Sequence, residues 1–293
     1  MRALITHTTS GSMTASAQNT AAYTALLYLY TAMTNAGFAN FTNYGITLYN
    51  SGASGYRGRI WNKPGGVLNL IRTAGIAGGF GADYLVNQGT LNCVCPSATS
   101  LINVNNFTNF GTLNALYGTL RLQIPNLVLA PSGTVGVGLS SPTVYGVVDI
   151  PGNAPLAGAF GVTLNNGFVP QLGTSFNVVT YSSLSGAFNN TNFESIAAAP
   201  ALPGLQHAVS WRTTYSNTFM TITAQQVTDQ FVFAGTNGPP GHPYVVLSST
   251  NLALPRTAWT PVATNYFDAN GSFTFTTNVD PATRQEFFTY WYQ

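Results

Sequence analysis

The chain has 293 residues, 5% of them charged, with a net charge of +2 and 13% aromatics. A typical soluble domain is roughly 25% charged, yet the aromatic content and near-zero net charge exclude disorder. The longest apolar run, Ala21–Met33 with Thr24 and Thr31 inside it, falls short of the ~20 residues a spanning helix needs.

At roughly 150 residues per domain, this length suggests about two domains. The polar surface is left to Asn, Thr, Ser, Gln and Gly, with Lys63 the only lysine. Thr suits a pleated surface, and Asn and Gly suit turns with φ > 0. The composition therefore predicts an all-β protein.

Residues 1–36 are expected to form an N-terminal cap or degenerate coil. Within them Ala21–Met33 reads either as one short helix or as a degenerate first turn of the repeat that follows. Residues 5–20 are polar and give no secretory signal. An exported chain of this kind is expected to carry its signal upstream, or to be a piece of a longer protein.

From residue 37 a repeat emerges. Phe41-Thr-Asn43-Tyr-Gly45, Leu85-Val-Asn87-Gln-Gly89 and Phe107-Thr-Asn109-Phe-Gly111 share one pattern. The last two continue as Gly-Thr-Leu-Asn, ending at Asn92 and Asn114. Asn87 to Asn109 is 22 residues, and Asn43 to Asn87 is twice that. A degenerate middle copy, Ile60-Trp-Asn62-Lys-Pro-Gly-Gly66-Val-Leu68, sits near the intermediate place. A period in the low twenties predicts stacked solenoid turns over residues 37–230. A structural ladder is expected from Asn43, Asn87 and Asn109, with Gly45, Gly89 and Gly111 at corners where a Cβ would clash. A Leu after Gly-Thr is expected to point inward.

Short strands are expected over 117–128, and 134–165 follows with Gly at short intervals and alternation at Val147–Ile150. The stretch from Gly158 onward contains Phe168-Val-Pro170, Leu172-Gly173-Thr-Ser-Phe176-Asn-Val178 and Leu184-Ser-Gly186-Ala-Phe188. It resembles the strand module that closes β-helical regions in large, autotransporter-passenger-like secreted bacterial proteins, and the upstream repeats resemble theirs. Phe160 stands where that family usually has Leu, and Ile46 where it has Thr. After a loop at Ala197–Pro203, strands are expected at His207–Tyr215 and Thr218–Ala224.

The cluster Gly235-Thr-Asn-Gly-Pro-Pro-Gly241 marks a boundary. Beyond it, Tyr244-Val-Val-Leu-Ser-Ser-Thr-Asn-Leu252, Trp259-Thr-Pro-Val-Ala-Thr-Asn265, Phe267-Asp-Ala-Asn-Gly271 and Phe287-Phe288 resemble a C-terminal β-sandwich module of Verrucomicrobia- and Planctomycetes-type secreted proteins. The expected fold is thus a right-handed parallel β-solenoid (β-helix), then a small antiparallel β-sandwich over 231–293. The resemblance implies an exported structural protein rather than a reaction.

The chemistry points the same way. Seven acids are present, but a 22-residue step from Asp83 lands on Trp61 and Asn105, so no facing carboxylates for glycoside hydrolysis are expected. Asp268-Ala-Asn-Gly271 reads as a hairpin turn rather than a calcium loop. No Gly-x-Ser-x-Gly, phosphate loop or zinc set is found, and His207, near Trp211, reads as a surface or packing residue rather than a base. Cys93 and Cys95 would share one strand face as small packing residues. Tyr44, Tyr49, Tyr56 and Trp61 are aromatics able to stack on sugar, although packing roles are expected of them. Arg57, Arg59 and Lys63 read as a solvated loop. No catalytic residue, metal or cofactor is expected. The expected role is a non-catalytic structural or adhesive surface segment, with a carbohydrate-binding or polysaccharide-active β-helix and a self-assembling filament subunit as alternatives. Expected partners are surface polysaccharide or further copies of the chain; nucleic acid and a membrane span are not expected.

Overall fold

The computed structural model describes residues 13–15, 20–23, 27–51, 56–78, 83–198, 205–279 and 285–292. The chain is all-β, with strand over most of its length and only two 3-10 turns, Asn165–Gly167 and Arg256–Ala258, among the described residues. It divides into two compact units: Met1–Ser195 with Ser210–Gln225, and Ile196–Val209 with Gln226–Gln293.

In the first unit nearly every strand pairs in parallel with the strand one repeat later. One six-stranded sheet takes Met13–Ala15, Ala32–Asn35, Arg59–Asn62, Tyr84–Asn87, Asn106–Asn109 and Asn126–Leu129 in chain order. A second, larger sheet carries two further parallel runs. One begins Thr20–Tyr23, Phe38–Thr42 and Val67–Ile71, and continues through the starts of Thr90–Asn103 and Thr112–Leu122 to Thr134–Leu139 and Ala159–Leu164. The other begins Leu27–Leu29, Ile46–Leu48 and Ile76–Gly78, and continues through the ends of the same two long strands to Gly146–Leu156 and Ser175–Gly186.

Where the structure describes the Ala21–Met33 run, it is therefore strand with a bend at Tyr30 and Thr31, and not helix. Thr20–Tyr23, Leu27–Leu29 and Ala32–Asn35 each find a parallel partner. Its Tyr, Thr and Leu residues suit a pleated surface, and that pairing outweighs weak helical propensity. Residues 1–12 and 199–204, including His7 and most of the expected Ala197–Pro203 loop, lie outside the described residues.

The core follows from strict alternation along these strands. Registered inward positions stack into columns: Met33, Ile60, Leu85 and Phe107 in one sheet, and Ala39, Leu68, Leu91, Leu113, Val135 and Phe160 in the other. All are buried, including the Leu that follows each Gly-Thr. Burying a Leu, Ile or Phe side chain contributes roughly 1.5–3 kcal/mol, so each repeat is held by its neighbours rather than by itself.

Parallel pairing ends at Ser175–Gly186, which pairs antiparallel with Phe219–Gly235 over Ser175↔Thr223 to Thr180↔Phe219. Trp211 is buried there, edge-on to Phe176 at 6.1 Å. In the second unit Pro243–Ser249 lies between Thr260–Tyr266 and Phe287–Tyr292, both antiparallel to it. The end of Phe219–Gly235 pairs antiparallel with Phe273–Asn278. Between these sheets Tyr244, Val246, Phe267 and Phe273 form a buried cluster, with Phe233, Phe275, Phe288 and Tyr290 packed against it.

Glycine sits where neighbouring repeats touch backbone to backbone. A Cβ on Gly111 would fall on the carbonyl oxygen of Gly89, and one on Gly89 on that of Gly66. At Gly152 nothing lies within 4 Å. Gly111→Ala is expected to cost about 2 kcal/mol or more, in the overpacking range, while Gly152→Ala stays within about 0.5 kcal/mol of the parent. Denaturant unfolding of the two variants checks the pair, and equal midpoints would refute the close approach.

Candidate functional site

The most organised polar feature of the first unit is a buried column of asparagine amides. Asn35, Asn62, Asn87 and Asn109 close successive strands of the six-stranded sheet and stand in direct register. Each is almost wholly buried. Asn35 Nδ2 donates to Asn62 Oδ1 at 2.8 Å, Asn62 to Asn87 at 2.7 Å, and Asn87 to Asn109 at 2.7 Å. The second N–H of each amide goes to a backbone carbonyl where the next strand begins: Val67 (3.0 Å), Thr90 (3.0 Å), Thr112 (2.9 Å) and Thr134 (3.3 Å). A buried amide left unpaired costs about 1–3 kcal/mol, and here both donors of every member are used. The column stops at Asn109 because its register partner one repeat on is Leu129.

Asn87 and Asn109 thus meet as their spacing predicts, and Asn62, in the degenerate middle copy, joins them. Asn43 does not. It is exposed in a bend at φ 64°, and its carbonyl accepts from Thr73 Oγ1 at 2.9 Å. Asn35 takes its place, because the steps along the column are 27, 25 and 22 residues rather than a constant 22. Gly89 and Gly111 occupy the close corner. Gly45 is also packed tightly, but against Gly75 in a different stack.

A second column went unrecognised. Asn69 Nδ2 donates to Asn40 Oδ1 at 2.7 Å, Asn92 to Asn69 at 2.9 Å, and Asn114 to Asn92 at 2.9 Å. These amides are half-buried and lie on the opposite face of their strands from Leu68, Leu91 and Leu113. Asn-x-Gly-x-x-Asn carries the signal for both columns: Asn35, Gly37 and Asn40; Asn87, Gly89 and Asn92; Asn109, Gly111 and Asn114. Asn62, Gly66 and Asn69 show it with two residues inserted. Asn43-Tyr-Gly45 is followed by Ile-Thr-Leu, which has no such Asn.

The described acids are dispersed. Asp83 is buried and accepts from the backbone N–H of Asn105 at 2.9 Å and from its side chain at 2.7 Å. Asp149 meets Arg121 Nε at 3.4 Å and accepts from Thr180 Oγ1 at 2.8 Å. Glu194 accepts from Ser210 at 3.4 Å, and Asp229 faces His207 Nδ1 at 2.7 Å. Asp268 accepts from the N–H groups of Asn270 and Ser272, both at 2.8 Å. That segment is a turn, but it joins strands of two different sheets and so is not a hairpin. Asp280 lies outside the described residues. Among the described residues no group of three or more His, Cys, Asp or Glu is placed to hold a metal ion, and no helix is long and apolar enough to cross a membrane.

Cys93 and Cys95 both point inward and are free thiols, with their sulfurs 2.7 Å apart. The sulfur contact with Cys95, together with burial, pushes the Cys93 pKa above the ordinary thiol range. A cleft of about 580 Å³ is lined by Asn103, Arg121, Gln123, Ile150, Pro151 and Asn153.

The outward face of the six-stranded sheet gathers the aromatics and cations. Arg59 belongs to a strand rather than a loop, and its guanidinium lies 5.6 Å from the ring centre of Tyr84. Lys63 Nζ is 5.5 Å from the ring centre of Trp61, whose Nε1 donates to Gln88 Oε1 at 2.8 Å. Tyr49 instead packs against Tyr30 at 5.2 Å, and Tyr44 is exposed in a bend. The Tyr56 side chain lies outside the described part of the structure.

No family model matches this chain, and no curated protein matches it significantly.

Asn87→Ala is expected to lower stability by about 2–3 kcal/mol, because it orphans the Asn109 oxygen and the Thr112 carbonyl. Asn43→Gly, at an exposed left-handed position, stays within about 0.5 kcal/mol. Asn87→Asp sets a carboxylate oxygen against those same two acceptors. Burial among acceptors raises the folded-state pKa of the new acid above its unfolded value. The deficit relative to the parent protein is therefore smallest below the unfolded pKa and grows as pH rises through the folded one. Paired unfolding curves at pH 4 and pH 7 check the sign; a gap that widens on acidification refutes it.

Proposed function

We propose that this chain is a non-catalytic structural and adhesive segment of an exported bacterial surface protein. In this reading the parallel runs are the faces of a right-handed β-solenoid, Ser175–Gly186 and Phe219–Gly235 form its closing module, and the antiparallel strands beyond make a small β-sandwich. The observation that carries the proposal is the fully satisfied Asn35–Asn62–Asn87–Asn109 column. It invests buried polar chemistry in holding repeats together rather than in a reacting centre. The dispersal of the acids, each beside a different non-acidic neighbour, supports the same reading. So does the resemblance of the repeats and of the C-terminal segment to autotransporter-passenger-like proteins and to the C-terminal module of Verrucomicrobia- and Planctomycetes-type secreted proteins.

The test sets durability beside turnover. The purified chain is expected to resist a broad-specificity protease under conditions that degrade Asn62→Ala and Asn87→Ala, and to release no reducing ends or unsaturated products from a panel of polysaccharides. Turnover of any of them, abolished by heat, would overturn the non-catalytic assignment. Equal protease resistance in the two variants would overturn the structural one.

A further inference from the structure

We propose that the outward face of the six-stranded sheet, from Arg59, Trp61 and Lys63 across Tyr84 and Gln88 to Phe110, binds an acidic polysaccharide. The proposal rests on the adhesive half of the reading above and gives it a site and a ligand class. Outward positions alternate with the buried ones along each strand: Ala32 and Thr34, Arg59 and Trp61, Tyr84 and Val86, Asn106 and Thr108, Asn126 and Val128. No carboxylate is among them. The only acid beside them in sequence, Asp83, is buried and occupied by Asn105. Among the described residues the two cations, Arg59 and Lys63, thus meet no acid on this face and rest beside aromatic rings instead.

Large apolar groups are held out in water here. Trp61 and Phe110 are each 46% exposed and Val128 is 49% exposed. Trp61 is not loose, because its indole N–H is tied to Gln88, in the bend that follows Tyr84–Asn87, so the ring is oriented before any ligand arrives. Flat, fixed rings suit the C–H faces of sugars. The amides of Gln88, Asn106 and Asn126 suit their hydroxyls, and Asn126 already donates to Asn106 at 3.2 Å. Arg59 and Lys63 suit a carboxylate or sulfate on the same polymer, with Arg59 able to grip it through two N–H groups. Adjacent strands about 4.8 Å apart set Arg59, Tyr84, Asn106 and Asn126 in register along one line, which favours an extended chain over a compact ligand. Two cations on the face are too few for the dense phosphate neutralisation that nucleic acid demands.

Affinity electrophoresis of the full chain tests this, in gels containing polygalacturonate or neutral dextran. The parent protein is expected to be retarded by polygalacturonate alone. Retardation should weaken about tenfold or more in Trp61→Ala and in the Arg59→Gln/Lys63→Gln double variant, and should fade at high salt as screening shortens. Arg212→Gln, an exposed cation outside this face, removes one charge and should bind like the parent. Unchanged circular dichroism establishes that each surface variant is folded. The proposal is overturned if polygalacturonate does not retard the parent, if the face variants bind like it, or if Arg212→Gln loses as much as Arg59→Gln. It is also overturned if single-stranded DNA or anionic vesicles compete as well as the polysaccharide. The structural reading is judged separately, by protease resistance of the asparagine-column variants, so failure here leaves it standing.

Discussion

Buried amides at strand ends must be satisfied by something other than water, and everything else in the first unit is arranged around that demand. Where a strand stops, its ladder of backbone hydrogen bonds stops too, and the carbonyls that begin the next strand need donors. Asn35, Asn62 and Asn87 supply them, each with one N–H for the neighbouring amide and one for the backbone, and Asn109 gives its N–H groups to the carbonyls of Gly111 and Thr134. A charged side chain in this place would need a buried counter-ion and a hydroxyl would supply only one donor, whereas a carboxamide carries two donors and an acceptor. This is one physical reason why a chain so poor in charge can still stack repeats in a single register.

Much of the architecture was legible because it follows from alternation and from residue types. The inward columns Leu68–Leu91–Leu113 and Ile60–Leu85–Phe107 come directly from period-two patterning, and the middle copy around Asn62 was visible despite its inserted residues. The phase of the asparagine column was harder to read. Asn43-Tyr-Gly45 and Asn35-Ala-Gly37 both fit Asn-x-Gly, and a constant step of 22 favours the wrong one. The column keeps its phase in space while the connections change length, so spacing in the sequence is not a reliable ruler. The Asn five residues on, present after Asn35 and absent after Asn43, is what separates the two.

The second asparagine column, and the placing of Trp61 and Arg59 beside Gln88 and Tyr84, escape the sequence for a different reason. Both depend on which residues of distant segments lie side by side, and an exposed Arg59 or Trp61 carries no local mark of its neighbour Tyr84 or Gln88. Likewise, Asp268-Ala-Asn-Gly271 announces a turn but cannot announce that the strands it joins pair with different partners.

The two asparagine columns differ in the direction of donation. In the buried one each amide gives its proton to the repeat that follows, from Asn35 toward Asn109; in the half-buried one each gives to the repeat before, from Asn114 toward Asn40. Three links run each way. The side-chain dipoles of the two columns therefore oppose one another along the stacking axis and largely cancel. The stack acquires no electrical head and tail from its amides, so lengthening it by further repeats would not build up an end charge as a long α-helix does.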